Sequence, residues 1–302
     1  MATLDLIGVP FDGFGRPGNQ RGAAARLRTA GLGDAFGHHE IATNRDIDLP
    51  VGNPDRAPGS GIVTEEALLA QTDALNTLVG AVLASGRFPV VYGGDCTSLL
   101  GSITGARDAL GAIALLHVDG HEDTMPLDVS EDGEAANMEI GLLLGLTGTL
   151  APDRLRERLP ALGRPGLALL GQRDVRWRRQ FNVGTLADLG VWSRPLEAIV
   201  ADPVGAARAA VAQVRQHAGD WWLHVDLDVL DPDVFPSQGV PGVEDEPGGL
   251  TWEQLTDLVT AALREGGCRG MSIVIYDPDQ DPDGTDASRI VRFVRDIVPA
   301  LD

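Results

Sequence analysis

Short apolar runs that alternate with longer helix-patterned stretches limit the folds open to this chain more than any other feature. Segments 3–9, 88–92, 113–118, 167–170, 221–225 and 271–276 are four to seven residues long and mostly apolar, as buried strands are. Between them lie stretches with apolar positions at helical spacing. These are 64–85 with Thr64 as cap, 137–146, 203–217 with Pro203 near its first turn, 251–264 and 286–297, and a helix beginning over 23–32. Strands that alternate with helices predict a parallel sheet covered on both faces. The 302 residues suffice for one large α/β domain, and no linker or repeat divides them, so residues 1–302 are read as a single unit. The Pro/Gly/Asp-rich stretches at 50–61, 231–249 and 277–284 read as loops. The last two follow strands, at the carboxyl ends where α/β sheets place ligands.

Charge narrows the partners. The formal net charge of −20 makes nucleic acid and anionic membranes poor partners. A cationic small molecule would be attracted, although an acidic surface also serves solubility alone. No apolar run reaches the roughly 18 residues of a membrane span. The first five residues carry Asp5 where a secretory signal would be basic, so a cytoplasmic location is expected. Two cysteines, Cys96 and Cys268, form no disulfide framework.

Acidic clusters follow three of the strands. After the apolar run at 113–118 the chain reads Asp119-Gly120-His121-Glu122-Asp123. In an extended chain alternation puts Asp119, His121 and Asp123 on one side. After the run at 221–225 come Asp226 and Asp228, again two apart. Carboxylates facing one another at a strand end repel, and a divalent ion relieves that repulsion. Mixed carboxylate and imidazole donors suit Mn²⁺, Fe²⁺, Ni²⁺ or Zn²⁺ better than Ca²⁺ or Mg²⁺. A third strand ends in Gly93-Gly94-Asp95-Cys96-Thr97, where two glycines permit a sharp turn and Asp95 or Cys96 then faces the crevice.

Together these segments resemble the arginase, agmatinase and formiminoglutamase family, the ureohydrolases. The family carries Gly-Gly-Asp-His-Ser, Asp-Ala-His-x-Asp and Ser-x-Asp-x-Asp-x-x-Asp-Pro in this order, and the matching segments here are Gly93–Thr97, Asp119–Asp123 and His224–Pro232. Ile7–Pro10, Arg28–Leu32, Gly171–Asp174 and Pro236–Gly242 with Gly248–Thr251 also fit, so the resemblance spans nearly the whole chain. It implies a three-layer α/β/α fold with a central, mostly parallel sheet, two Mn²⁺ ions, a small-molecule substrate and a homo-oligomer, trimer or hexamer. It assigns Asp119 and Asp226 as carboxylates shared by two ions, Asp123 and Cys96 to the first ion, and His121 and Asp228 to the second. It makes Asp228 the group that moves a proton toward the leaving amine, and puts Ser237 and Gln238 in the substrate loop. The implied reaction is attack of water, activated by both ions, on a guanidine or formimino carbon.

Three departures bear on the activity. Cys96 stands where the family has a histidine ligand; it is either a thiolate ligand or a space-filler. Gly133–Glu139 lacks the histidine that arginases use as a proton shuttle, leaving Glu134 and Glu139 as either substitute relays or exposed acids at a helix start. Ile275 stands where the family's glutamate grips the guanidinium, and Asp277, two residues on and on the same face of an extended chain, is the candidate replacement. His38, His39, His117, His217 and His224 fall on no ligand pattern and read as structural or surface residues. The arginines of 173–179 read as a solvated loop or as an anion-binding stretch. The chain therefore reads as a metal-dependent hydrolase of a guanidine or related linear amidine, N-hydroxylated guanidines included. A hydrolase of another C–N bond and a metal-binding but catalytically weak homologue are the alternatives.

Overall fold

The computed structural model describes residues 2–15, 18–147, 150–239 and 248–301. Eight strands form one all-parallel sheet: β1 Leu4–Gly8, β2 Ile41–Asp46, β3 Phe88–Tyr92, β4 Ala114–Val118, β5 Leu167–Leu170, β6 Trp192–Arg194, β7 Trp221–Asp226 and β8 Cys268–Val274. Their order across the sheet is β2-β1-β3-β8-β7-β4-β5-β6. Each of the six strands read from sequence is present. The two edge strands β2 and β6 were not expected.

Eleven α-helical segments are described. They are α1 Ala23–Thr29, α2 Leu32–Ala35, α3 Glu65–Ala84, α4 Ser98–Leu110, α5 Glu139–Leu143, α6 Asp153–Arg156, α7 Val175–Gln180, α8 Leu196–Ala201, α9 Pro203–Val214, α10 Trp252–Arg264 and α11 Thr285–Ile297. Side-chain alternation along the strands builds a core on each face. Leu6, Val90, Leu116 and Leu223 pack with Leu27, Val211, Leu258 and Ile290 of α1, α9, α10 and α11. Ile7, Val91, Leu115 and Leu167 pack with Leu75, Ile103 and Leu142 of α3, α4 and α5. The three-layer α/β/α arrangement expected from the sequence is thus realised.

Two local details differ from expectation. The helix begun at Ala23 breaks at Gly31, which takes the left-handed conformation (φ 91°) between α1 and α2. Thr64 precedes α3 with φ 58° and makes no side-chain cap; its hydroxyl donates instead to the Gly13 carbonyl at 3.4 Å. Helix α3 has the length and hydropathy of a membrane span, but half of it is buried against the body of this fold.

Sheet register positions the acidic motifs. Central strands β3, β8, β7 and β4 lie side by side, and their carboxyl ends carry Gly93–Cys96, Ile275, Asp226 with Asp228, and Asp119–Asp123. Val118 pairs with Val225, so the residues that follow them, Asp119 and Asp226, leave the sheet together. Gly93 and Gly94 (φ 79° and 69°) turn the chain sharply after β3. A Cβ at Gly93 would lie 2.8 Å from the Ala24 nitrogen, and one at Gly94 3.1 Å from the Val9 carbonyl oxygen. Only glycine serves both the conformation and the space.

Candidate metal centre

The turn after β3 delivers Cys96 to the middle of the acidic motifs. Its Sγ lies 2.5 Å from Asp226 Oδ2 and 3.9 Å from Asp119 Oδ2, and the residue is buried. Its neighbour Asp95 points below, where it accepts the Thr97 N–H at 3.0 Å and the Thr97 hydroxyl. Burial lifts the Asp95 carboxyl to about 6. Of the two residues open at this turn, Cys96 is the one that lines the crevice.

The remaining motif side chains close around it. His121 Nδ1 lies 2.9 Å from Asp228 Oδ2 and 3.6 Å from Asp119 Oδ1. Asp228 accepts the Gly120 N–H at 3.1 Å through its other oxygen, and Asp226 accepts the Asp228 N–H at 2.7 Å. Asp123 takes a positive φ of 48°, which turns its carboxylate back toward the group. Ligand atoms of Cys96, Asp119 and Asp226 lie within 4.8 Å of one another, as do those of Asp119, His121 and Asp228. All six side chains expected at the metals are therefore brought together.

Burying this many acids is costly. Burial pushes Asp123 well above the usual carboxylate range, and the Asp119 and Glu139 carboxylates add to it. Asp226 is raised by burial and then by Asp228 and Asp119, and the Cys96 thiol by burial and then by Asp226, Asp119, Glu139 and Asp123. Divalent cations offset this repulsion, so the donor set fits two such ions. Mn²⁺ should raise the melting temperature with the logarithm of its concentration above Kd, corresponding to about 2.7 kcal/mol of stability per site at a hundredfold excess, and chelator should reverse it. A thermal-shift titration checks this; a melting temperature indifferent to both reagents would refute the fit.

Other expected residues divide. Glu134 lines the cavity beside Gln238, His121, Asp123 and Asp228. Glu139 does not: it is completely buried, and neither carboxylate oxygen has a hydrogen-bond partner among the described residues. The reading of Glu139 as an exposed helix-start acid is thus corrected. Ser237 is buried and donates to Asp286 Oδ2 at 2.7 Å, away from the cavity. Asp277 accepts the Asp279 N–H at 2.8 Å, and it does not line the cavity either. Ile275 does line it. Its φ of 62° breaks the alternation on which the Asp277 expectation rested. The part of the substrate loop from residue 240 lies outside the described residues.

Three buried supports stand behind these groups: His117 and His224, for which the structural one of the two readings holds, and Arg178. His117 Nε2 lies 3.2 Å from Asp119 Oδ2 and 3.7 Å from Asp123 Oδ2, and its ring stacks on His224 at 5.2 Å. Nδ1 of His224 meets the Ser272 hydroxyl at 2.7 Å, and burial, then His117, lowers its pKa to about 3. Both precede an acidic residue by two positions on a strand, a spacing that puts them on its face and was there to be read. Arg178 is not in a solvated loop: it is buried in α7 and pairs with Asp174 at 2.8 Å and Glu122 at 3.1 Å. Its spacing of four from Asp174 was the available signal.

The cavity above the acids holds about 260 Å³, and Phe14, Trp177, Pro232, Arg173 and Asn137 complete its wall. The sequence and the fold have counterparts among known proteins. Residues 2–298 match the Arginase family. The chain belongs to the arginase family. An arginase of Bacillus caldovelox is 27% identical over 265 residues, 84% of this chain and 84% of that protein. An N(1)-aminopropylagmatine ureohydrolase of Thermus thermophilus is 28% identical over 287 residues, 92% and 84% of the two chains. The structure of an arginase from Bacillus caldovelox superposes with a TM-score of 0.84 at 21% identity, covering 99% of this chain and 98% of that one. Arginase-family membership bears out the expectation of a metal-dependent hydrolase acting on C–N bonds of linear amidines.

Proposed function

We propose that this chain hydrolyses a linear amidine of low basicity, an N-hydroxylated guanidine being the best fit, at a centre of two Mn²⁺ ions. The observation that carries the reading is the convergence of Cys96, Asp119, His121, Asp123, Asp226 and Asp228 beneath a cavity whose wall includes Ile275. Cys96, Asp123 and the shared Asp119 and Asp226 would hold one ion; His121 and Asp228 with the same shared pair would hold the other. When bound, the ions supply Lewis acidity and an ionised water at neutral pH. The mixed carboxylate, imidazole and thiol donors are compatible with Mn²⁺ and leave Fe²⁺, Ni²⁺ and Zn²⁺ as competitors.

The chain's own residues supply the rest. Asp228 accepts the proton released as water adds to the amidine carbon and delivers it to the leaving amine; its anchoring by the Gly120 N–H fixes that orientation. Glu134, on the cavity wall and half-buried, relays protons to solvent. Trp177 and Phe14 keep water from the reacting carbon. Ile275 sets the substrate class. An arginine-type guanidinium needs a fixed carboxylate for its charge-assisted pair, and Ile275 cannot provide one. N-hydroxylation withdraws electrons and lowers basicity, so the neutral amidine meets an apolar wall without an unpaired charge. The same residue favours, as a second reading, an amide or other weakly basic C–N bond.

The test is a panel of guanidines, with and without N-hydroxylation, formimino compounds and amides, offered to Mn²⁺-loaded, thiol-reduced protein with urea-type product and amine release measured. N-hydroxylated members should show the highest kcat/KM. Equal or better turnover of the parent guanidines would refute the role given to Ile275, and no release from any member would refute the hydrolase reading.

A further inference from the structure

The side chain the reaction leaves unused is Glu139. It opens α5, and two backbone bonds fix it against the metal motif: Gly141 N–H to the Asp123 carbonyl at 3.1 Å, and Met125 N–H to the Asn137 carbonyl at 2.9 Å. It is completely buried, and neither carboxylate oxygen has a hydrogen-bond partner among the described residues. One carboxylate oxygen lies within 4.8 Å of both a Cys96 and an Asp123 ligand atom.

We propose that Glu139 is an additional ligand of the metal ion held by Cys96 and Asp123. Two other roles for a buried acid fit less well. A structural acid collects donors, as Glu122 does from Thr185 Oγ1 at 2.6 Å, Leu186 N–H at 2.7 Å and the Arg178 guanidinium. Glu139 collects no such set: the side chain it meets is the Asp123 carboxyl, another acid. A proton relay needs a route to the cavity, and Glu134 lines it while Glu139 does not. A carboxylate without donors, facing a thiol and another carboxylate, is satisfied by a cation among the three. The assignment also answers the substitution at position 96. A thiolate from Cys96 and a carboxylate from Glu139 together surround this ion with anionic donors, which favours retention of a divalent cation.

This assignment rests on the two-metal reading, and the experiment separates the two. Mn²⁺ alone is titrated into the thiol-reduced full chain, wild type and Glu139→Gln, by calorimetry and equilibrium dialysis with elemental analysis. Wild type is expected to bind two Mn²⁺. The isosteric variant is expected to lose about a hundredfold or more in affinity at one site and to keep the other, since removing even the hydrogen-bond partner of a ligand costs 10- to 100-fold. Two sites of unchanged affinity in Glu139→Gln would overturn the ligand assignment and leave the two-metal reading intact. A wild-type chain that binds fewer than two Mn²⁺ overturns that reading and the assignment with it. The melting temperature of the metal-free variant is the folding control. It should equal or exceed that of metal-free wild type, because a buried acid without partners has been neutralised; a lower value would mean Glu139 holds the fold by contacts and would overturn the proposal.

Discussion

Asp228→Asn should lower kcat by about three to four orders of magnitude at saturating Mn²⁺, the upper range for loss of a positioned proton carrier. Asparagine has nearly the same shape and can still accept the Gly120 N–H, so the turn after β7 keeps its geometry. What it cannot do is take up the proton released when water adds to the substrate carbon. It also brings no negative charge to the His121 side of the centre, where Asp228 lies 2.9 Å from the imidazole. Both changes act in the same direction. Steady-state kinetics on the preferred amidine, with metal content measured alongside, checks the outcome. A rate within tenfold of wild type would remove Asp228 from the proposed proton path.

Arg178→Ala should cost about 3–5 kcal/mol of stability, the usual result of removing one partner from a buried ion pair. Its guanidinium sits between Asp174 and Glu122, all three are buried, and truncation leaves two acids facing each other without a counter-charge. The damage would not stay local. Glu122 lies between His121 and Asp123 in the chain, and it is tied by Thr185 and Leu186 as well as by Arg178. A shift of Glu122 therefore moves the loop that presents two proposed ligands, and Mn²⁺ affinity should fall along with the denaturation midpoint. Denaturant unfolding of metal-free protein measures the first effect and Mn²⁺ titration the second. A loss below 1 kcal/mol would mean that water reaches the triad.

The central sheet was legible because β3, β4, β5, β7 and residues 270–274 of β8 are buried and read as mostly apolar runs. Edge strand β2, Ile-Ala-Thr-Asn-Arg-Asp, is half exposed and polar, and β6 has three residues; neither carries that signal. The metal motifs were legible for a related reason: alternation holds as far as the strand does. It fails one step beyond. Asp277 was placed with Ile275 by counting two residues, but β8 ends at Val274 and Ile275 turns through a positive φ. Glu139 was read as exposed because polar residues at a helix start usually are. Nothing in the local sequence reports that Met138 and Ile140 on either side are also buried, against the core of the α3 and α4 face. The six expected ligands came from motif order, whereas for Arg178, His117 and His224 the local spacing gave a signal but the distant partners Glu122, Ser272 and each other's rings did not show in it.

The pairing of Val118 with Val225 has one more consequence. Because Asp119 and Asp226 are the next residues on two hydrogen-bonded neighbours, the gap between their backbones is the repeat of a β-sheet, about 4.8 Å. The ruler of the centre is therefore main-chain hydrogen bonding, which no point substitution at the rim rewrites. Such a frame lets chemistry diverge at its margins: a thiol can enter at 96, an aliphatic wall at 275 and a carboxylate at 139 while the span between Asp119 and Asp226 stays put. Variation among relatives of this chain should then collect at those margins, and attempts to change its substrate should begin there.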